Sequence, residues 1–385
     1  MPSLRAVQMP ELVLFLTYGS SLKSWKDAGI LERELALYHE HAQAGWKVRI
    51  VSYGGPEDLE IAKSFDFVEV LCNEYHLHFR LYAALIPWLH ARVGRAATVL
   101  KTNQLYGAHI ARRCARAWKI PLIVRQGYGH YEHRVAEYGT DSREALAACR
   151  YEFVNLQAGA HAVFTTAELA KRAADRHGLA PEKVTIVPNY IVPESWSPPF
   201  KAKRQPELLR LAFYGRFTEQ KNLETFIEAC AGMPVRLTLI GEGPLERVLK
   251  ATAQKFDINC QFVGRVAQEK LREYLSDADW FVLPSHYEGH PKSLLETMSF
   301  GMPVFGADSP GIREQIVDGE TGILADSSLV GLRHGLQRIS GLDRKQSESL
   351  GKKARDWALS RFSVQAIAKM EQSLFGQVSQ KAGRT

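Results

Sequence analysis

The chain has 385 residues, 45% hydrophobic and 24% charged, with a formal net charge of +7 and a pI near 9.0. That length exceeds what one hydrophobic core normally organises, so two domains are expected, and the composition excludes a disordered chain. The modest basic excess suits anionic ligands or a membrane surface. With no basic arm and no DNA- or RNA-reading motif, the charge does not argue for nucleic acid, and none is expected as a partner.

Five cysteines (Cys72, Cys114, Cys149, Cys230, Cys260) stand far apart and form no CxxC pair. An odd, dispersed set reads as reduced thiols of a cytoplasmic protein rather than a disulfide frame or zinc site. The N-terminus shows no signal-peptide pattern, and the apolar run at 81–89 is too short to span a bilayer.

Apolar strand-like runs alternate with helical patterns from the start. LVLFLT (12–17) leads into a helix with Ile30, Leu31, Leu35 and Tyr38 on its apolar face, which Gly45 ends. VRIVSY (48–53), FVEVL, ATVLK, PLIVR, AVFTT and VTIVP continue the series to Pro188. Such runs separated by helices predict βαβ units around a buried parallel sheet. The proline-rich stretch 192–206 reads as an interdomain linker. A second series follows: LRLAFYG (209–215), VRLTLIG, CQFVG, DWFVLPS and PVFGAD, with Leu223, Phe226, Ile227 and Cys230 at helical spacing after the first strand. The expected architecture is α/β, two doubly wound Rossmann-like domains facing across a cleft. The divisions are 1–192 on the acceptor side, 193–360 for the donor nucleotide, and 361–385 as a helix returning to the first domain.

Four segments of the second half each follow a predicted strand, which sets them on one sheet edge. In the first, Arg216 ends a strand and Lys221 begins the next helix, a pair of cations suited to a diphosphate. In LIGEGPLE, Gly241 and Gly243 permit a tight turn and close backbone approach. In FVGRV, Gly264 lets the backbone at Arg265 and Val266 lie against a flat base. In LPSHYEGHPKSLLETMSFGMP, Glu288 lies in the loop, Pro291 suits the first helical position, Glu296 falls inside the helix and Gly301 ends it. Each alone is weak: a surface Arg–Lys pair, a turn, or two solvated glutamates explains it equally well.

Taken in order, these segments resemble glycosyltransferase family four, the retaining nucleotide-sugar enzymes of GT-B fold. GRFTEQKNL resembles the family's donor-phosphate segment, GEGP and FVGRV its next strand-end signatures, and EGHPKSLLE its E-x7-E element. PGIREQIVDGETGIL (310–324) is similar to the following strand-end loop, and the segment from Arg361 to the closing helix. The resemblance covers residues 209–375 most strongly. It implies transfer of a sugar from a nucleotide-diphosphate donor such as a UDP- or GDP-sugar to a saccharide or lipid-linked acceptor, with retention and with no metal or other cofactor. Glu288, Arg216 and Lys221 are then the catalytic set, with Glu288 meeting sugar hydroxyls and Glu296 the ribose. Donor contacts fall to Gly29, Gly215, Gly241, Gly243, Arg265, Val266, Gly289, His290, Pro291, Lys292, Ser293 and Leu294. Gly29 stands for the second glycine of the family's pair near the sugar, here Ala28-Gly29. Where many members carry a histidine, this chain has Gly127 or Tyr128, with His130 beyond. Asn103 and Gln104 follow another strand and, with Tyr128 and His130, are the acceptor-side candidates.

Other patterns were weighed against this reading. Asp277-Ala278-Asp279 is a DxD string, but it precedes its strand and so lies at the wrong edge for a metal-held nucleotide. His76, His78 and His90 lack ligand partners at metal spacing. Tyr75–Arg92 reads either as a core helix or as a segment touching a membrane or lipid-linked acceptor at the inner membrane face. A phosphorylase, an epimerase and a non-catalytic nucleotide-sugar binder share the architecture. No strand is followed by GxGxxG, which argues against a nicotinamide enzyme.

Overall fold

The computed structural model describes residues 9–197, 199–200 and 208–383. The chain divides into two compact units. One runs to Pro188 and resumes at Val364; the other is Asn189–Ser363.

The first unit carries seven strands: β1 (Glu11–Phe15), β2 (Lys47–Val51), β3 (Val68–Leu71), β4 (Val99–Thr102), β5 (Leu122–Gln126), β6 (His161–Phe164) and β7 (Val184–Ile186). They form one parallel sheet in the order β3-β2-β1-β4-β5-β6-β7. Every residue of β1, β4 and β6 is buried, as expected where helices cover both faces of a parallel sheet. The order reverses between β1 and β4, so the loops after these strands diverge at that point.

Helix Val364–Lys381 closes this unit against helix Leu31–Gln43. A buried polar group fastens it. The Lys101 ammonium, on β4, lies 2.5 Å from Oε1 of Glu371 on the closing helix, and His41 Nε2 lies 3.0 Å from Oε2. Burial alone would raise the Glu371 carboxyl, but Lys101 and His41 beside it hold it down at about 2.

The second unit carries β8 (Leu209–Tyr214), β9 (Val235–Ile240), β10 (Asn259–Gly264), β11 (Trp280–Leu283), β12 (Val304–Ala307) and β13 (Ile323–Ala325), all parallel, in the order β10-β9-β8-β11-β12-β13. Here the order reverses between β8 and β11. β13 starts at the end of GETGIL, where the sequence pattern marks only a loop. Three residues after a glycine-containing turn are too few to show a period.

The stretch expected to be a linker is partly core. Trp196 is 1% exposed and its ring centroid lies 5.7 Å from that of Phe300, which Phe200 also meets at 5.7 Å. Two aromatic side chains entering the second unit's core outweigh the proline-rich composition; residues 201–207 lie outside the described residues.

Candidate functional site

In doubly wound sheets ligands bind beyond the carboxyl ends of the strands where the order reverses. In the second unit that places the loops after β8 and β11 side by side. The turn Glu219–Lys221 follows β8, and the loop 284–291 follows β11. Gln220 ties the two together: its carbonyl accepts from the His286 N–H at 2.9 Å, and its amide donates to Tyr287 O at 2.8 Å. This sets Lys221 Nζ 2.5 Å from Oε1 of Glu288, with the two side chains 15% and 7% exposed. Burial and the adjacent Glu288 carboxylate raise the Tyr287 phenol above its usual range. Arg216 stands exposed at the end of β8, and Arg265 is exposed after β10.

The glycines are needed for close backbone approach. A Cβ on Gly241 would lie 2.0 Å from Gly215 O, and one on Gly243 would lie 2.4 Å from Phe217 O. The Phe217 N–H donates to Glu242 O at 3.0 Å, so the GEG turn holds the backbone that carries Arg216. Gly215, Gly241 and Gly264 all have positive φ. Gly311 packs against the Glu288 and Gly289 carbonyls in the same way, so the later loop buttresses the Glu288 backbone.

Helix Lys292–Phe300 begins one residue after Pro291, which is its N-cap rather than its first turn. Pro291 has no side-chain acceptor, so the N-cap residue makes no side-chain hydrogen bond to the first turn. His290 is buried with its ring 5.0 Å from Phe362, and Asn189 donates to its carbonyl at 2.6 Å. Lys292 Nζ lies 5.4 Å from the Tyr190 ring. Leu294 is fully buried. Tyr214, the last residue of β8, donates its hydroxyl toward Ser293 O at 3.0 Å and Glu296 Oε2 at 2.8 Å. Glu296 is thus a buried, hydrogen-bonded carboxylate and not a solvated one. The structure joins Lys221 to Glu288, and Tyr214 to both Glu296 and Ser293. Tyr214 was missed because a tyrosine ending a strand looks like ordinary core.

Asp277 and Asp279 lie at the amino edge of the same sheet. Arg210 reaches Asp279 at 2.8 Å and Asp277 at 3.4 Å, and Arg236 also pairs with Asp277. His90 is 3.0 Å from the Tyr82 hydroxyl, and burial lowers it to about 4. Among the described residues no His, Cys, Asp and Glu group is arranged to hold a metal.

In the first unit the reversal point lies between β1 and β4, and an aromatic cluster occupies its carboxyl edge. The Tyr18 N–H donates to Tyr106 O at 3.0 Å. The Tyr18 ring lies 5.8 Å from Tyr106, 5.3 Å from Tyr53, 4.8 Å from Phe79 and 5.1 Å from His109. Tyr151 continues it toward His130 at 6.2 Å, and Tyr128 lies 6.4 Å from His130. Tyr106 and Tyr128 are 45% and 44% exposed, while the buried Tyr53 hydroxyl has no hydrogen-bond partner among the described residues. Burial, with Arg134 and His133 nearby, lowers His130 below its usual range. Asn103 and Gln104 sit at this edge, and Gln104 Oε1 accepts from the Gly127 N–H at 3.1 Å, bracing the loop that carries Tyr128. Gly29 is an exposed turn glycine at φ +66° between helices Leu22–Asp27 and Leu31–Gln43. Tyr18, Tyr53 and Tyr106 escaped the sequence reading because each follows a different strand, and only the sheet order makes them neighbours.

Two parallel-sheet α/β units, each reversing strand order at its centre, are the fold of GT-B glycosyltransferases, and the second unit carries a cation–carboxylate site at its reversal point. Residues 196–357 match the family model for glycosyl transferases group 1. The amylovoran biosynthesis glycosyltransferase AmsK of Erwinia amylovora is 36% identical over 162 residues, 38% of this chain and 39% of that protein. The chain spans less than two thirds of the length of the first curated relatives it matches. Among solved structures, sucrose-phosphate synthase from Thermosynechococcus elongatus shares the fold with a TM-score of 0.76 at 20% identity, covering 96% of this chain and 99% of that one. Anabaena Alr3699/HepE, solved with UDP and glucose, has a TM-score of 0.71 at 15% identity, covering 95% and 99%.

Proposed function

We propose that this protein moves a glycosyl unit from a nucleotide-diphosphate sugar to an acceptor hydroxyl, with retention at the anomeric carbon and without a metal, in assembly of a cell-surface polysaccharide or glycolipid. The Lys221–Glu288 pair at the β8/β11 reversal point carries this reading. In the reaction the donor's anomeric C–O bond breaks and the nucleoside diphosphate leaves with the electron pair. The acceptor oxygen forms the new bond to the anomeric carbon and its proton passes to the departing diphosphate. Arg216, Lys221 and the N-terminal dipole of helix Lys292–Phe300 stabilise the charge that grows on the diphosphate. Glu288 binds sugar hydroxyls and holds Lys221 in place; Glu296, fixed by Tyr214, accepts from the ribose. Arg265 and Val266 complete the donor contacts in this reading.

The acceptor is a saccharide, free or lipid-linked. The half-exposed faces of Tyr106 and Tyr128, beside Asn103 and His130, suit the apolar face and hydroxyls of a pyranose. HepE was solved with UDP and glucose, which supports testing uridine donors first. The experiment is donor screening by thermal shift with UDP-, GDP- and ADP-sugars, followed by product analysis with and without acceptor. A shift with a nucleotide sugar and a new glycoside of retained configuration is expected. An epimerised or phosphorolysed sugar without acceptor overturns transfer, and an inverted product overturns retention.

A further inference from the structure

Residues 75–131 contain nine lysines and arginines and no aspartate or glutamate. This stretch carries +9 against +7 for the whole chain, so the remaining residues sum to −2. Lys101 is committed to Glu371, and Arg125 donates to Asn103 O at 3.2 Å. The other seven lie on three helices and their ends: Phe79–Leu89, Ala91–Gly94 and Ala108–Trp118. Arg80, Arg92, Arg95, Arg116 and Lys119 are exposed, and Arg112 and Arg113 are half-buried.

These helices pack as one body. Trp118 Nε1 donates to Pro87 O at 2.8 Å, and Arg113 donates to Ala84 O at 2.9 Å. Helix Phe79–Leu89 satisfies the first unit's core with Tyr82, Ala83 and Ile86. On its outward side, Leu81, Leu85 and Trp88 fall at i, i+4 and i+7, with Leu81 49% and Trp88 67% exposed. A helix on a soluble surface carries polar residues there. This one carries an apolar stripe, and the Arg113 guanidinium lies 5.9 Å from the Trp88 ring.

We propose that this face docks on an anionic membrane surface, with Leu81 and Trp88 entering the headgroup boundary and Arg80, Arg92 and Arg116 meeting lipid phosphates. An apolar stripe on a segment with a large surplus of cations is the interfacial pattern. Phosphate contacts along a nucleic acid would use the arginines but leave the leucine stripe unused. The inference does not rest on the transfer reaction. It does bear on it: Phe79, the first residue of this helix, lies 4.8 Å from Tyr18 in the aromatic cluster. Trp88 is nine residues further on, about 14 Å along the axis, so a membrane-seated face stands close to where a lipid-linked acceptor would present its sugar.

The test is co-sedimentation of the full chain with phosphatidylcholine vesicles, with and without about a third phosphatidylglycerol, at low and high salt. Binding only to the anionic vesicles, weakened by salt, is expected. Each cation at such a surface contributes roughly fivefold, so Arg92→Glu with Arg116→Glu should lower partitioning by at least about twentyfold. Leu81→Ser with Trp88→Ser should abolish the salt-resistant part. Unchanged thermal unfolding of both double variants shows that the fold is retained. No partitioning at low salt, or partitioning that both variants keep, overturns the proposal. Tighter binding to a single-stranded RNA or a DNA duplex than to vesicles, lost in the arginine variant, overturns it in favour of nucleic acid.

Discussion

Lys221 Nζ stands 2.5 Å from Glu288 Oε1, joining the loop after β8 to the loop after β11 at the point where the second sheet reverses direction. Both side chains are mostly buried, so their attraction is little screened by solvent. Replacing Lys221 by Ala removes the cation offered to the diphosphate and leaves Glu288 uncompensated. Affinity for the free nucleoside diphosphate should fall by about 2–5 kcal/mol, measured by calorimetry. Unchanged affinity in both Lys221→Ala and Arg216→Ala variants would remove the support for this phosphate site.

Glu288→Gln keeps the shape but loses the charge. Turnover should fall about ten- to a hundredfold, from the loss of about 1.5–3 kcal/mol of charged hydrogen bonding, while binding of the sugar-free nucleotide changes less. Steady-state kinetics set beside calorimetry separates the two. A larger loss in nucleotide binding than in turnover would transfer the nucleoside role from Glu296 to Glu288.

Glu296 should behave in the opposite way because Tyr214 fixes its carboxylate at 2.8 Å. Glu296→Gln should weaken the nucleotide with or without its sugar. Tyr214→Phe, which removes only the hydroxyl that positions Glu296, should weaken it by up to about tenfold, part of the roughly 1.5–3 kcal/mol that a hydrogen bond to a charged group is worth. A Tyr214→Phe variant that binds normally would show that Glu296 needs no positioning.

The strand series was legible because parallel strands buried on both faces read as unbroken apolar runs, as in LVLF and WFVL. Lys221 and Glu288 were legible as residue types at strand ends. Their pairing was not, because 67 residues separate them and only the order β8-β11 brings them together. Sequence order also hid the aromatic cluster and the buried Lys101–Glu371 contact, which spans 270 positions. Trp196 shows the opposite failure. Prolines beside it signal a connector, but a large ring is buried wherever the core has room.

Glycine 243 gives a test of geometry rather than charge. The added Cβ of Gly243→Ala would lie 2.4 Å from Phe217 O and 2.6 Å from Phe217 N, and neither backbone atom can move without shifting Arg216. The substitution should destabilise the protein by about 1–3 kcal/mol, as overpacking does, and should weaken nucleotide binding as well. Gly45→Ala, a helix-ending turn glycine at φ +86° with no atom near the added Cβ, should destabilise without affecting the nucleotide. Denaturant unfolding and calorimetry on both variants check this; equal nucleotide affinities would show that the GEG turn does not position the donor loop.

The closing helix offers a prediction in pH. Glu371 is buried and ionised beside Lys101 and His41, and its folded pKa of about 2 is below the usual 4.5. A carboxylate with a depressed folded pKa contributes stability that is present above its unfolded value and lost as pH falls toward the folded one. The first unit should therefore lose stability between about pH 4.5 and pH 2 as the unfolded chain takes up a proton that the folded Glu371 refuses. Glu371→Ala should remove this dependence and cost about 3–5 kcal/mol at neutral pH, because Lys101 is left buried without its partner. Lys101→Met combined with Glu371→Leu removes both charges and fills the space, so it should restore most of that loss. Urea unfolding of the three proteins across this pH range decides it. If the double variant is as unstable as Glu371→Ala, the cost comes from lost packing of helix Val364–Lys381 and not from an orphaned charge.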